Sequence, residues 1–346
     1  MDASKQTHTS KVSIAPMVDR TDRHFRYFCR IITKESLLYS EMITTYAILN
    51  GDRKKLLDFN PYEKPVALQI AGCNPNEVYE AVKIAEDWDY DEINLNVGCP
   101  SDRVSGNEMG AVLMAYPEVV AEMVGAMKKA TKKPVTVKNR IGIEGKNVLP
   151  SSFSRTLLDK YEDMENFIKI VSKAGVDTFV IHARIAILEG LSPKENREIP
   201  PLRYEEVYKL KKEFPNLNII INGGIKTEED IEKHLEHVNG VMIGRAAYEN
   251  PFFLTKVDKY FLNKTENRIT RREIIERFIP YVEEEEKKGT PTNALLRHIL
   301  GLFYEKRGSK VWKQFITPPY KKGKSGIQIL NEVLEVLPQE VLDEKP

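Results

Sequence analysis

The chain of 346 residues is long enough for one large domain or a large one with a smaller companion, and its 41% apolar residues supply a core. Its 52 Lys and Arg against 51 Asp and Glu exclude a global positive field for nucleic acid, so such a partner must use a local patch. The three cysteines, Cys29, Cys73 and Cys99, form no CxxC pair and are too few for a disulfide framework, and a zinc reading has little to stand on, so no metal is expected.

Residues 1–10 form a polar tail without the apolar core of a signal peptide, and nowhere do about twenty apolar residues run together. A cytoplasmic protein without a membrane partner is expected. Short apolar or β-branched runs then recur, each followed by a stretch of helical spacing: "VSIAPM" from Val12, "LLYSEM" from Leu37, "VALQIAG" from Val66, "INLNVGCP" from Ile93, "VTVKNRIG" from Val135, "FVIHAR" from Phe179, "IIINGG" from Ile219 and "VMIGRA" from Val241. Eight strands alternating with helices predict an α/β fold, a closed (β/α)8 TIM barrel, and the absence of GxGxxG after the first strand argues against a dinucleotide fold. The helices at "NEVYEAVKIAEDW" and "TEEDIEKHLEHV" have caps available in Asn76 and Thr227. After Pro251 the strand signal stops and three helical stretches follow, with "EEEE" at Glu283 read as a solvated face. The expected organisation is a tail over 1–10, a barrel over 11–250 and a small helical domain over 251–346.

In such a barrel, chemistry sits at the carboxyl ends of the strands. These ends carry Pro16 and Met17, Glu41, Gln69, Asn96 and Cys99, Lys138 and Arg140, His182 and Arg184, Asn222 with Gly223 and Gly224, and Gly244 with Arg245. Glycines after the last two strands let backbone N–H groups approach a phosphate, with Arg245 adding charge; tight turns are the plainer explanation of either glycine motif alone, and the pair favours a phosphate-bearing ligand. Lys138 and His182 are donors suited to the anionic edge of a reduced flavin, whereas a Schiff-base lysine and a hydrogen-bonded core histidine are the alternatives. Cys99, between Gly98 and Pro100 at a strand exit, fits a general acid, a thiolate nucleophile or a small buried hydrophobe; its position argues against the last and leaves the first two open.

Between Pro291 and Leu330, Arg297, Lys306, Arg307, Lys310, Lys313, Lys321, Lys322 and Lys324 face few acids. His298, Phe303, Tyr304, Trp312, Phe315 and Tyr320 lie among them. The mixture suits RNA, where cations meet phosphates and aromatic faces meet unstacked bases, and equally a solvated surface over an aromatic core. A second basic group is Arg20, Arg23, Arg26 and Arg30. The segment "AILEGLSPKENREIPPL" after strand six reads as a lid, a substrate grip or an ordinary surface loop.

Nearly the whole chain, through "SIAPMVDRTDRHFRYF", "DEINLNVGCPSDRV", "PVTVKNRIGI", "GLSPKENREIPPL", "INGGIK", "RRE" and "RHILGLF", resembles the tRNA-dihydrouridine synthases, their A subgroup in particular. The resemblance implies a flavin mononucleotide (FMN) enzyme that takes hydride from NADPH and delivers it to C6 of D-loop uridines 20 and 20a, with Cys99 protonating C5. It places FMN contacts at Ala15, Pro16, Met17, Gln69, Lys138, His182, Asn222, Gly223, Gly224, Gly244 and Arg245, and tRNA contacts at Asn96, Lys194, Arg197, Lys310 and Lys313. No protein partner is implied. The chain departs from the family at Ile185 and Ile187, where a basic and an aromatic residue are usual, at Asn139, where Thr is common, and in "GNEMGAVLM". Competing readings are an FMN barrel reducing a free pyrimidine or other small molecule, a lyase using Lys138, and a tRNA-binding module with a silent barrel.

Overall fold

Each of the eight runs forms a parallel strand in the computed structural model, which describes residues 11–100, 109–146, 148–149, 154–320 and 323–346. The strands are β1 (Val12–Ile14), β2 (Leu37–Thr44), β3 (Val66–Ala71), β4 (Glu92–Val97), β5 (Val135–Glu144), β7 (Thr178–Ile187), β8 (Asn218–Asn222) and β9 (Gly240–Ile243). Pairing runs in chain order from β1 to β5, then through β7, β8 and β9 back to β1, so the sheet closes on itself. A two-residue strand, β6 (Leu157–Leu158), pairs antiparallel with the end of β5 and was not expected from the sequence. Two residues are too short for any periodic signal.

The period-two alternation of each strand separates two environments. Outward residues such as Ile93, Leu95 and Val97 join the large layer between strands and helices, together with Val120, Met123, Phe167 and Ile231. Ala15, Leu37, Tyr39, Ala67, Val180, Ile220 and Met242 form a separate cluster that fills the barrel interior. Gln69, Asn94, Asn96, Thr136, Lys138, His182 and Asn222 share the parity of that interior set, so the inner face carries polar as well as apolar side chains.

The cap of the helix Pro75–Ala85 is Asn74, whose side chain accepts from the N–H of Asn76 and Glu77, and not Asn76 as expected. Pro75 lacks an N–H and carries a helical φ, which makes it the first helical residue and moves the cap back. Thr227 caps Glu228–Leu235 in a reciprocal box with Asp230, as expected.

Beyond the barrel lie helices Arg271–Lys287, Thr292–Leu296, Ser309–Ile316, Gly326–Val336 and Gln339–Leu342, with a 3-10 turn over Arg297–Phe303. They pack on the first helix of the barrel, Arg23–Ile32. Tyr27 stacks on Tyr281 at 3.8 Å between ring centres, and Phe28 meets Phe278 edge-on at 5.5 Å. Asp22 caps that helix and also accepts from Arg297 at 2.7 Å and pairs with the fully buried His298 at 2.9 Å. The "EEEE" run is solvated only in part: Glu283 and Glu284 pair with Lys287 and Lys288, whereas Glu285 is buried and Glu286 accepts from the N–H of Gly326. Among the described residues no helix is long and apolar enough to cross a membrane.

Candidate functional site

The mouth of the barrel collects the predicted residues. Ala15 continues β1 by donating to Ile243 O at 2.8 Å, and Met17 is pinned by its N–H to Thr21 Oγ1 at 2.9 Å, so residues 15–17 enter the mouth from the first strand. Gln69 is buried on β3. Its amide donates to Asn94 Oδ1 and accepts from Asn96 Nδ2, both at 2.8 Å. Asn96 turns its own oxygen to the N–H groups of Gly98 and Cys99, at 3.1 and 3.0 Å, which holds the strand exit in a tight turn.

Cys99 is half-buried, contacts the small cluster of Ala71 and Met109, and none of the three cysteines is in a disulfide. Its carbonyl accepts from Ala111 N–H at 2.9 Å. Ser101, Asp102, Arg103 and Val104 of the predicted motif, and Gly106, Asn107 and Glu108 after it, lie outside the described residues.

Lys138 and His182 sit on adjacent strands, β5 and β7, two positions out of register, so both face the barrel interior. Lys138 Nζ donates to Asn222 Oδ1 at 3.2 Å, and Asn222 in turn donates to Met242 O at 2.8 Å. Burial, then the charge of Arg140, lower the lysine from its ordinary 10.5 to about 7, opposed by the Cys99 sulfur. No carboxylate pairs with Lys138 among the described residues. Burial, then Arg140, Lys138, Arg184 and Arg197, hold the His182 imidazole neutral, well below its usual range. Its ring lies against Gly223, where φ is +116° and an added Cβ would fall 2.7 Å from His182 Cδ2; Gly224 follows at φ +77°. Glycine is required at both positions. Gly244, by contrast, has φ −100° and room for a side chain.

Arginines surround this pocket. Arg140 is buried and donates to Gly98 O at 3.0 Å, Ile185 O at 2.8 Å and Asn196 O at 3.0 Å, tying the Cys99 turn to the segment after β7. That segment is ordered by Asn196, whose buried amide exchanges hydrogen bonds with Ile187 N–H and C=O at 2.8 and 2.9 Å. Arg184 donates to the carbonyls of Glu198 and Pro200, and Arg245 pairs with Glu198 at 2.6 Å. Lys194 and Arg197 are exposed on it. Partial desolvation of its guanidinium, then the charges of Arg245 and Arg20, lower Arg197, and the Cys99 sulfur counters this. Several cations thus share one opening and repel one another, the electrostatics of a site for an anion.

The helical patch is less basic than its sequence. Arg297 pairs with Asp22, Lys306 with Glu344, Arg307 with Glu340 and Lys324 with Glu332. Lys310 and Lys313 are exposed on Ser309–Ile316 and have no ion pair among the described residues; Lys321 and Lys322 lie outside them. His298, Phe303 and Trp312 are fully buried, so they form core, and Tyr304 is the large exposed aromatic of the group. In the second basic group, Arg26 pairs with buried Glu63 at 2.7 Å and Arg30 donates to four backbone carbonyls. Both are structural. Arg20 lies over the Tyr248 ring at 4.9 Å, towards the mouth set.

Sequence reasoning passed over Glu92, Asn94 and Thr136, which face the barrel interior. The signal was present in "EINLNV": its polar half alternates with period two, and in a barrel that half points inward, not to solvent.

Among solved structures, a complex of 2-naphthoyl-CoA reductase matches with a TM-score of 0.54 at 11% identity, over 72% of this chain and 50% of that one, a likeness of fold alone. Curated relatives match over most of the chain. A protein of Synechocystis sp. is 52% identical over 324 residues (94% of this chain, 93% of the relative), and proteins of Vibrio vulnificus and Pseudomonas aeruginosa are 48% and 45% identical over 97% and 94% of this chain, and 99% and 95% of their own lengths. Each of the three is named tRNA-dihydrouridine(20/20a) synthase. The sequence profile described as "Dihydrouridine synthase (Dus)" matches residues 13–339, and the chain belongs to the dihydrouridine synthase family.

Proposed function

We propose that this enzyme reduces the C5–C6 double bond of uridines 20 and 20a in the D-loop of tRNA, using FMN as bound cofactor and NADPH as reductant, in the cytoplasm. One observation carries the reading: the Cys99 turn, Lys138 and the ring of arginines converge on one barrel mouth in a chain whose full-length relatives carry the synthase name. The residues present fit a phosphate-bearing flavin. Lys138 is a half-buried donor without an anionic partner among the described residues, His182 is a neutral donor on the neighbouring strand, and Gly223 and Gly224 bring bare backbone to the end of β8.

Residues 15–17, Gln69, Lys138, His182, Asn222 to Gly224, Gly244 and Arg245 would hold the cofactor, which supplies the hydride for C6. Cys99 gives its thiol proton to C5, so hydride and proton together saturate the bond. The thiolate left behind faces the charges of Lys138, Arg140 and Arg197, and regains its proton from solvent. Asn96, Lys194 and Arg197 at the mouth, and Lys310 and Lys313 on a tRNA-binding helical unit over 251–346, would grip the RNA. The test is Cys99→Ala. It is expected to keep its yellow cofactor and its tRNA affinity while losing most turnover; a colourless variant, or one with undiminished turnover, refutes the assignment of Cys99.

A further inference from the structure

Glu92, Asn94 and Thr136 have no part in that reading, yet all three are buried polar side chains inside the barrel. They belong to a single line of hydrogen bonds. Gly98 and Cys99 N–H donate to Asn96 Oδ1 at 3.1 and 3.0 Å, Asn96 Nδ2 to Gln69 Oε1 at 2.8 Å, and Gln69 Nε2 to Asn94 Oδ1 at 2.8 Å. Asn94 Nδ2 donates to Thr136 Oγ1 at 2.7 Å, and Thr136 Oγ1 to Glu92 Oε1 at 2.6 Å, where Tyr39 Oη also donates at 2.5 Å. Strand register builds the line, since Gln69 is paired with Asn94 and Asn94 with Thr136.

The two ends dictate its direction. A backbone N–H only donates, and Glu92 accepts from two hydroxyl groups. A hydroxyl has one proton, so Thr136, which spends it on Glu92, must receive from Asn94. Turning over any one amide in between would oppose donor to donor or acceptor to acceptor in a buried, low-dielectric interior. With this polarity Gln69 and Asn96 commit both oxygens within the column, and each has one amide hydrogen that no group among the described residues takes up. The mouth therefore offers donors, which match carbonyl oxygens of a uracil or flavin ring.

We propose that Thr136 and Glu92 are positioning residues, which act through this one-way column to fix the amide orientation of Gln69 and Asn96 and thereby the pose of the Cys99 turn. The proposal rests on the reductase reading and deepens it. Thr136→Val removes the hydroxyl at nearly constant volume, and Thr136→Ser restores it. Two readouts are taken: alkylation of Cys99 by iodoacetamide, resolved from Cys29 and Cys73 by peptide mass spectrometry, and steady-state reduction of unmodified tRNA. Thr136→Val is expected to alkylate faster and to lose about tenfold in kcat, the scale of one buried amide left unpaired, with a smaller change in KM for tRNA, while Thr136→Ser stays near wild type. Glu92→Leu against Glu92→Gln poses the same question from the far end, should the valine variant not fold. Wild-type alkylation and turnover in the valine and leucine variants, or equal impairment in the serine and glutamine ones, overturn the proposal. If the wild-type protein reduces no tRNA, the reductase reading fails, and the alkylation arm still decides whether the column positions Cys99.

Discussion

Lys138 makes cofactor binding depend on pH with a defined sign. Its displacement from 10.5 to about 7 corresponds to about 5 kcal/mol by which burial and Arg140 disfavour the ammonium. The groups facing it are Arg140, Cys99 and Asn222, with His182 coupled to it and held neutral. An anionic oxygen about 4 Å away at an effective dielectric of about 20 is worth about 4 kcal/mol, which offsets most of that cost and returns the lysine to near its ordinary value. Binding an anionic ligand therefore takes up a proton at any pH between the two values. Ligand affinity of the cofactor-free protein is expected to be flat below pH 7 and to weaken by up to about tenfold per pH unit above it, to a total of about a thousandfold. Lys138→Met should bind weakly at pH 6.5 and show no such decline. The assay is anaerobic calorimetric titration of the cofactor-free protein with reduced FMN from pH 6 to 9, in buffers of different ionisation enthalpy so that proton uptake is read directly. An affinity that stays level through this range in the wild-type protein, without proton uptake, refutes the reasoning.

Gly223→Ala places a methyl against His182 and Leu202 at a φ of +116°, a strain of about 1–3 kcal/mol, and should yield a folded protein that retains little flavin on purification; full flavin content would contradict the role of this turn. For Asp22, burial raises the carboxyl, but His298, Phe25 N–H and Arg297 outweigh it and hold it well below the usual carboxylate range. That stabilisation is complete above the ordinary value of about 4 and is lost as pH falls further. Asp22→Asn keeps a cap but loses the charge, so urea unfolding at pH 7 should show a loss of about 1.5–3 kcal/mol that narrows towards pH 3; a constant difference would exclude the linkage. Replacing Lys310 and Lys313 by Gln should weaken tRNA binding and reduce the logarithmic salt slope by about 2, and an unchanged slope in a filter-binding series would remove them from the interface.

Strands were legible because each must bury an outward apolar face under helices, which imprints β-branched runs on the chain. The mouth residues were legible because strand ends in a barrel share one rim, so Gln69, Cys99, Lys138, His182 and Asn222 could be gathered without knowing a single contact. What escaped depends on partners distant in sequence. Arg30 looks like a surface cation until four carbonyls surround it, and Arg297 like an RNA contact until Asp22 arrives from the first helix. The polar column was hidden for a different reason: alternation marks two faces of a strand, and only barrel closure shows that the polar face of "EINLNV" is the inner one.

The central claim is a flavin that passes electrons to tRNA. Its most direct test is the absorbance spectrum of the purified protein, followed in one anaerobic cuvette by NADPH and then by unmodified tRNA. A flavin spectrum that bleaches with NADPH and returns with tRNA is the predicted result. Return with a free pyrimidine and not with tRNA, or no flavin even after reconstitution with FMN, would contradict it.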